Sequence, residues 1–216
     1  MTAMTMPGPS KICLALAFLT LSSVACQTRL GPRSAKAQQT LTTGEEEKIS
    51  QPRSGRSQLK LPLAEPKIVV KKSQRQLLLF SNGKVVRTYR IGLGLNPVGD
   101  KVRAGDRRTP EGDFYIFTKN AKSAFYLSLG LSYPNAAHAE LGLRDGLIKR
   151  AQYDSIMRAL RAKKAPPQNT RLGGDIYIHG NGARSDWTWG CVALENEDIR
   201  ELYDSVAIGT PVTIQP

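Results

Sequence analysis

Short apolar runs separated by turn residues dominate the chain between residues 67 and 118. The runs are Lys67–Val70 (KIVV), Gln76–Phe80 (QLLLF), Lys84–Ile91 (KVVRTYRI) and Asp113–Thr118 (DFYIFT). Runs of this length and composition, bounded by Gly, Pro and Asn, predict β-strands. Asn82-Gly83 lies between the second and third runs and predicts a type I′ hairpin, because both residues tolerate the positive φ of that turn.

The hydrophobic period changes in the second half. Tyr153, Ile156, Met157 and Leu160 fall at i, i+3, i+4 and i+7, which predicts a helix over residues 150–163 that ends before Pro166-Pro167. Residues 175–179 and 210–214 again have strand composition, and Asn196 is the predicted cap of a short helix. We therefore expect residues 65–216 to form one mainly β domain with short helices.

The first 26 residues have the pattern of a secretory signal peptide. Lys11 precedes the apolar run ICLALAFLTL, and small residues follow up to Cys26. The run is too short for a permanent membrane span, which needs about 20 apolar residues. The end of this segment also resembles a bacterial lipobox, although Ser23 departs from the pattern. Cys26 is therefore the predicted lipidation site, with simple cleavage near Ala25 as the alternative.

Composition limits the partners more than it identifies them. The 216 residues are 40% hydrophobic and carry a formal charge of +13, which indicates one globular domain with an anionic partner. Residues 27–64 are rich in Ser, Thr, Gln, Pro and Arg and are predicted to be a flexible tether. Export to the periplasm or cell envelope argues against a nucleic-acid partner, and no helix-turn-helix pattern is present.

Candidate chemistry is concentrated in residues 176–194 (IYIHGNGARSDWTWGCVAL). His179 ends a predicted strand, and Cys191 follows twelve residues later in a Gly-rich turn. A nearby imidazole lowers the pKa of a thiol and carries its proton to a leaving group, so the two form a candidate catalytic pair. Gly190 allows a tight turn with N–H groups directed at an oxyanion. Two histidines and this cysteine are too few for a predicted metal site.

These residues resemble the signature of the L,D-transpeptidases with a YkuD-type catalytic domain. The matching segments are Ile178-His179-Gly180 and Thr188-Trp189-Gly190-Cys191, supported by Thr109-Pro110-Glu111-Gly112 and Ile208-Gly209-Thr210-Pro211-Val212. The resemblance implies a β-sandwich-like domain, peptidoglycan stem peptides as substrate, and no cofactor. It also implies that Gly180 orients His179 through its carbonyl.

The resemblance leaves the substrate-binding residues open. The candidates around the nucleophile are Trp187, Thr188 and Trp189, with Asn181 and Tyr133 further away. At least one Trp could instead be packed under the loop, and Thr188 could orient His179, bind substrate or only stabilise its turn. Family members often have Arg two residues after the cysteine, where this chain has Ala193. Another group must then hold the donor peptide.

The implied reaction begins when the Cys191 thiolate attacks the stem peptide before its D-Ala and forms a thioester. An amine from a second stem or from an envelope protein then gives a 3-3 cross-link or a protein anchor. Water as acceptor would make the protein an L,D-carboxypeptidase or endopeptidase, and a non-catalytic peptidoglycan-binding lipoprotein is the other alternative. We expect a low-pKa Cys191, sensitive to loss of His179, to distinguish an enzyme from that binder.

Overall fold

Eight strands and three short helices make up the regular structure of residues 56–216, the part of the chain described by this computed structural model. The strands are β1 (Lys67–Lys71), β2 (Gln76–Ser81), β3 (Lys84–Arg90), β4 (Gly112–Ser123), β5 (Tyr126–Leu131), β6 (Tyr177–His179), β7 (Val192–Ala193) and β8 (Pro211–Gln215). The helices are α1 (Ala136–Arg144), α2 (Arg150–Arg161) and α3 (Asn196–Ser205). The prediction of a mainly β fold with short helices is confirmed.

The segment before β1 has no regular secondary structure in its described part, residues 56–64. Leu59 and Leu63 nevertheless pack against the hydrophobic core, and Arg56 Nη1 donates to Asp198 Oδ1 at 2.7 Å. The predicted signal peptide, Cys26 and the tether up to residue 55 lie outside the described residues. None of the helices within residues 56–216 combines the length and hydropathy that a membrane crossing requires.

The strands form one sheet in the order β3-β2-β1-β8-β4-β5-β6-β7. Two neighbouring pairs, β1 with β8 and β6 with β7, are parallel, and the other neighbours are antiparallel. One core cluster contains Ile68 and Leu77 from one half of the sheet together with Ile178 and Val192 from the other half. Strands far apart in the order share this core because the sheet curls around it.

The predicted hairpin is confirmed, and the structure differs from the predicted elements at β5, β7, α1 and the start of α3. Asn82 and Gly83 have φ of 47° and 71°, which confirms the type I′ hairpin. Strands β5 and β7 and helix α1 were not predicted from the sequence. Asn196 is the first residue of α3 and not its cap, because Glu195 takes that position and Asn196 Oδ1 instead accepts from the Asn181 N–H at 2.8 Å.

Candidate active site

The parallel pairing of β6 with β7 brings the two predicted catalytic residues together. Ile178 pairs with Val192 and His179 with Ala193, and both Ile178 and Val192 are fully buried in the core. Successive side chains on a strand point to opposite faces, so His179 and Cys191 share the face opposite the core. They lie diagonally across two adjacent strands, at a Cα separation of about 8 Å from strand spacing and rise.

The imidazole of His179 is held in one tautomer. Its Nδ1 lies 2.8 Å from the carbonyl oxygen of Gly180, which can only accept, so Nδ1 carries the proton and Nε2 has the lone pair. The rings of Phe125 and Trp187 lie 4.6 and 5.5 Å from the imidazole, centroid to centroid. Burial lowers the pKa of His179 below its usual value of 6.5, although the Gly180 carbonyl opposes this shift. His179 is therefore neutral at pH 7.

Cys191 is half-buried, and its thiol faces backbone atoms of the strand next to it. Sγ accepts from the Tyr177 N–H and donates to the Asp175 carbonyl, both at 3.4 Å. Burial raises the pKa of Cys191 to about 11, and this outweighs the opposing effects of the Tyr177 N–H and of Lys101. The expectation of a low-pKa thiol is therefore wrong for this structure, in which no hydrogen bond joins the thiol to the imidazole of His179.

The turn that carries the nucleophile is fixed from inside. Thr188 is buried, and its Oγ1 donates to the Cys191 carbonyl at 2.8 Å while accepting from the Gly190 N–H at 3.1 Å. Gly190 has φ of 131°, and a Cβ there would lie 2.7 Å from the Arg108 carbonyl oxygen. Only glycine fits both constraints. The Gly190 N–H is engaged within the turn, whereas the Cys191 N–H donates no hydrogen bond within residues 56–216.

The irregular loop formed by residues 92–111 lies against this turn. Gly94 forms an isolated bridge with Thr188, and the Leu95 N–H donates to the Thr188 carbonyl at 3.0 Å. Thr109 Oγ1 accepts from the Gly94 N–H at 3.0 Å and approaches the Cys191 carbonyl at 3.4 Å. The loop therefore shares hydrogen bonds with the turn that holds the thiol.

A family model described as the L,D-transpeptidase catalytic domain, YkuD, matches residues 65–214. This chain belongs to that family. The match spans β1 to β8 and includes His179, Cys191 and the loop beside them.

Solved structures with a related fold include L,D-transpeptidases. An L,D-transpeptidase from Mycobacterium smegmatis matches at 13% identity and a TM-score of 0.43, over 71% of this chain and 59% of its own. The helical cell shape determining protein Pgp2 from Campylobacter jejuni matches at 22% identity and a TM-score of 0.46, over 69% of this chain and 47% of its own. The chain thus spans about half of each of these proteins. No curated protein sequence matches this chain.

The YkuD domain places the predicted substrate-binding residues in different environments. Trp187 is half-buried beside His179 and its Nε1 donates to the Gly182 carbonyl at 3.1 Å, whereas Trp189 is 69% exposed. Asn181 is exposed, with its N–H bound to Asn196. Of the five predicted substrate-binding residues, only Trp189 and Asn181 are exposed to solvent.

Two of the substrate-binding predictions need correction. Tyr133 is fully buried, and its hydroxyl donates to the Leu172 carbonyl at 3.0 Å, so it belongs to the core. The Thr188 hydroxyl forms its hydrogen bonds within the Cys191 turn and makes none to His179. Both residues are polar side chains in mainly apolar surroundings, and a sequence does not distinguish a hydroxyl bonded internally from one that binds a substrate.

Sequence reasoning missed two residues that build this site. Phe125 lies in the β4–β5 turn and packs its ring on His179 at 4.6 Å, and its carbonyl accepts from the Gly180 N–H at 3.0 Å. The sequence gives Thr109 no role in the site beyond a supporting motif, but its fully buried hydroxyl bonds to both Gly94 and Cys191. No sequence signal pointed to Phe125, because β5 was not predicted and the β4–β5 turn was therefore not recognised.

Alkylation of the thiol is expected to be slow at neutral pH. With a pKa of about 11, Cys191 has little thiolate at pH 7, so iodoacetamide should react about 100-fold more slowly than with an ordinary cysteine. The rate should rise toward pH 11, and His179→Ala should leave the rate at pH 7 nearly unchanged. Intact-mass spectrometry over time measures both. Fast alkylation that is lost in His179→Ala would instead show a preformed thiolate–imidazolium pair. Because slow alkylation is now expected of an enzyme too, a slow rate does not distinguish an enzyme from a non-catalytic binder.

Proposed function

We propose that this YkuD domain is a cysteine-dependent L,D-transpeptidase that acts on peptidoglycan stem peptides through a thioester acyl-enzyme. The observation that carries the proposal is the placement of Cys191 and His179 on one face of adjacent parallel strands, with the lone pair of Nε2 available as a base. Family membership supports the substrate class. The residue roles rest on the geometry of this chain.

The first half-reaction begins with two neutral groups. Rotation about the Cα–Cβ bond turns Sγ away from the Asp175 carbonyl and toward Nε2 of His179, which accepts the thiol proton as sulfur attacks the donor carbonyl. Gly180 holds Nδ1–H in place and stabilises the imidazolium that forms. His179 then gives the proton to the departing amine, which leaves as D-Ala, and the donor remains as a thioester on Cys191.

Backbone dipoles supply the oxyanion site in this proposal. The Cys191 N–H makes no internal hydrogen bond within the described chain, and it lies beside the sulfur that attacks. An N–H donor held by a rigid turn stabilises the developing negative charge without reorganisation. The Gly190 N–H donates to Thr188 Oγ1, so it shapes the turn and is not available to the oxyanion.

The second half-reaction resolves the thioester with an amine. His179, neutral again after the first step, removes a proton from the acceptor amine as that nitrogen attacks the thioester carbonyl, and sulfur leaves with the returned proton. A stem-peptide side chain as acceptor gives a 3-3 cross-link, and a lysine of an envelope protein gives a covalent anchor.

Mass spectrometry of the full chain tests this proposal. The protein is incubated with a stem tetrapeptide, with and without a diamino-acid acceptor, and the intact mass and the small products are followed. A thioester on Cys191 followed by acceptor-dependent product supports transpeptidation. D-Ala release that is indifferent to acceptor would identify a hydrolase, and the absence of both adduct and product would favour the non-catalytic binder.

We also propose that the chain is exported and anchored to a membrane through a lipid on Cys26, on the basis of the N-terminal pattern described above. Incorporation of labelled palmitate into the full chain in a bacterial host tests it. The label should disappear in Cys26→Ser and remain in Cys191→Ala, whereas equal labelling of both variants would contradict the anchor.

A further inference from the structure

A basic cavity lies beside the turn that carries the nucleophile, outside the Cys191–His179 pair. Its volume is about 630 Å³, and it is built by residues 95–108 of the loop. Three basic residues line it, Arg103, Arg107 and Arg108, together with Asp106 and Leu95. The Arg108 guanidinium also donates to the Asp100 carbonyl at 3.3 Å.

The single carboxylate of the cavity is already neutralised from behind. Asp106 Oδ1 accepts from Lys101 Nζ at 2.7 Å, and Lys101 is buried. Oδ2 accepts from the N–H groups of Val102 and Arg103 at 2.7 and 3.0 Å. Burial opposes the charge, but these hydrogen bonds prevail and lower the pKa of Asp106. No guanidinium of the cavity pairs with Asp106, so this carboxylate does not neutralise the three arginines.

Arg107 is arranged to bind an anion. Its guanidinium lies over the ring of Trp189, 4.9 Å from the centroid, and forms no hydrogen bond or ion pair within residues 56–216. Stacking uses the face of the guanidinium plane and leaves the N–H donors at its edge available. Those donors match the two oxygens of a carboxylate.

The loop holds the backbone of this arginine in place despite its lack of regular structure. The Asn96 N–H donates to the Arg107 carbonyl at 3.1 Å, and Asn96 Nδ2 donates to the Asp106 carbonyl at 2.8 Å. The Arg108 N–H donates to Asp106 Oδ1 at 3.1 Å. A loop backbone fixed in advance loses less conformational entropy when the loop binds a ligand.

The cavity is continuous with the nucleophile turn. Trp189, on which Arg107 stacks, precedes Cys191 by two residues. On the other side of the turn, the Arg108 carbonyl lies against Gly190. Two arginines of the cavity therefore contact the same turn that carries Sγ.

Position 193 gives a reason for this arrangement. Ala193 is fully buried between His179, its partner on β6, and Gly92, with which it forms an isolated bridge. An arginine side chain at position 193 is too large for this enclosed space and would have to extend out of it. The chain instead presents its guanidinium groups from the neighbouring loop.

We propose that this cavity binds a free carboxylate of the donor stem peptide, with Arg107 as the principal partner. The inference rests on the proposed function for the identity of the donor. It adds a substrate-binding subsite, and it assigns to the loop the anchoring role that Ala193 cannot perform.

Calorimetric titration of a stem tetrapeptide into the full chain carrying Cys191→Ala tests the subsite without turnover. Arg107→Gln on this background should weaken binding about tenfold or more, as expected when a hydrogen-bonded partner of a charged group is lost. Arg107→Lys should fall between the two. Arg158→Gln, which removes an equal charge from the exposed face of α2, should leave binding unchanged.

Donor analogues with each free carboxylate amidated in turn identify the group that is bound. The correct amide should bind the Cys191→Ala protein as weakly as Arg107→Gln binds the free acid, and the two changes together should cost no more than either alone. If amidation of every carboxylate weakens binding equally, or if Arg107→Gln does not weaken binding of the free acid, the subsite is overturned. Arg107-dependent binding with no thioester in the unaltered protein would retain the subsite and overturn the proposed function.

Discussion

Replacing Cys191 with alanine is expected to abolish thioester formation and to reduce acyl transfer by about 10⁴-fold or more, to the uncatalysed background. The reason is chemical, because the sulfur forms the covalent bond and no other thiol is present in the described part of the chain. Cys191→Ser provides the matched control. It retains a hydroxyl at nearly the same position, and that hydroxyl is a far weaker nucleophile at neutral pH.

The fold should survive both substitutions. Sγ is half-buried and its two hydrogen bonds are long, at 3.4 Å each, so the free energy of unfolding should change by only about 1 kcal/mol. Intact mass after incubation with a stem tetrapeptide and thermal unfolding of the same samples measure the two effects together. A covalent adduct that persists in Cys191→Ala would place the nucleophile elsewhere, and a collapse of the unfolding transition would show that the thiol is structural.

The meeting of Cys191 and His179 was predictable because the pattern that indicates it is local in the sequence. A strand that ends in His179-Gly180 and a Gly-rich turn that contains Cys191 need only one parallel pairing to meet. Six of the eight strands, all except β5 and β7, were predictable for a similar reason, because alternation and turn residues act over a few positions. Helix α1 (Ala136–Arg144) was not predicted because it buries only three residues and has a weak hydrophobic stripe.

The state of the thiol was not predictable from the same pattern. A Cys–His pair in sequence indicates activation, but the pKa of Cys191 depends on how deeply its turn is buried and on which atoms face Sγ. Those atoms are backbone groups of Tyr177 and Asp175, fixed by strand register. The roles of Thr188 and Tyr133 depended likewise on where each hydroxyl found its partner.

The loop of residues 92–111 shows the same division between sequence and structure. Its glycines and charges indicate an irregular connection, and nothing in their spacing reveals that Asp100 and Asp106 collect backbone N–H groups and close it into a rigid unit. Asp100 also lies 3.0 Å from the ring of His138, at the start of α1. Side chains thus do in this loop what ladder hydrogen bonds do in the strands.

Lys72 is the cation on which that loop depends. It is 2% exposed, and its Nζ donates to the carbonyls of Gly99 and Thr109 at 2.6 and 2.9 Å and to Glu111 Oε1 at 2.7 Å. All three donors of the ammonium group are therefore used. They tie the middle and the C-terminal end of the loop to the residue that follows β1, next to the threonine that supports Cys191.

Lys72→Met is expected to lower the free energy of unfolding by about 3–5 kcal/mol, because it keeps the apolar stem but leaves the Glu111 carboxylate and two carbonyls without their partner. For a domain of this size, thermal unfolding should shift down by about 10 °C. Adding Glu111→Leu should recover part of the loss, since it removes the stranded charge. Lys84→Met, at an exposed position, should shift unfolding by about 1 °C at most. If Lys72→Met unfolds at the same temperature as Lys84→Met, the loop is held in place without its buried cation. If the rate of acyl transfer falls while the unfolding temperature does not, Lys72 only positions Thr109 for catalysis.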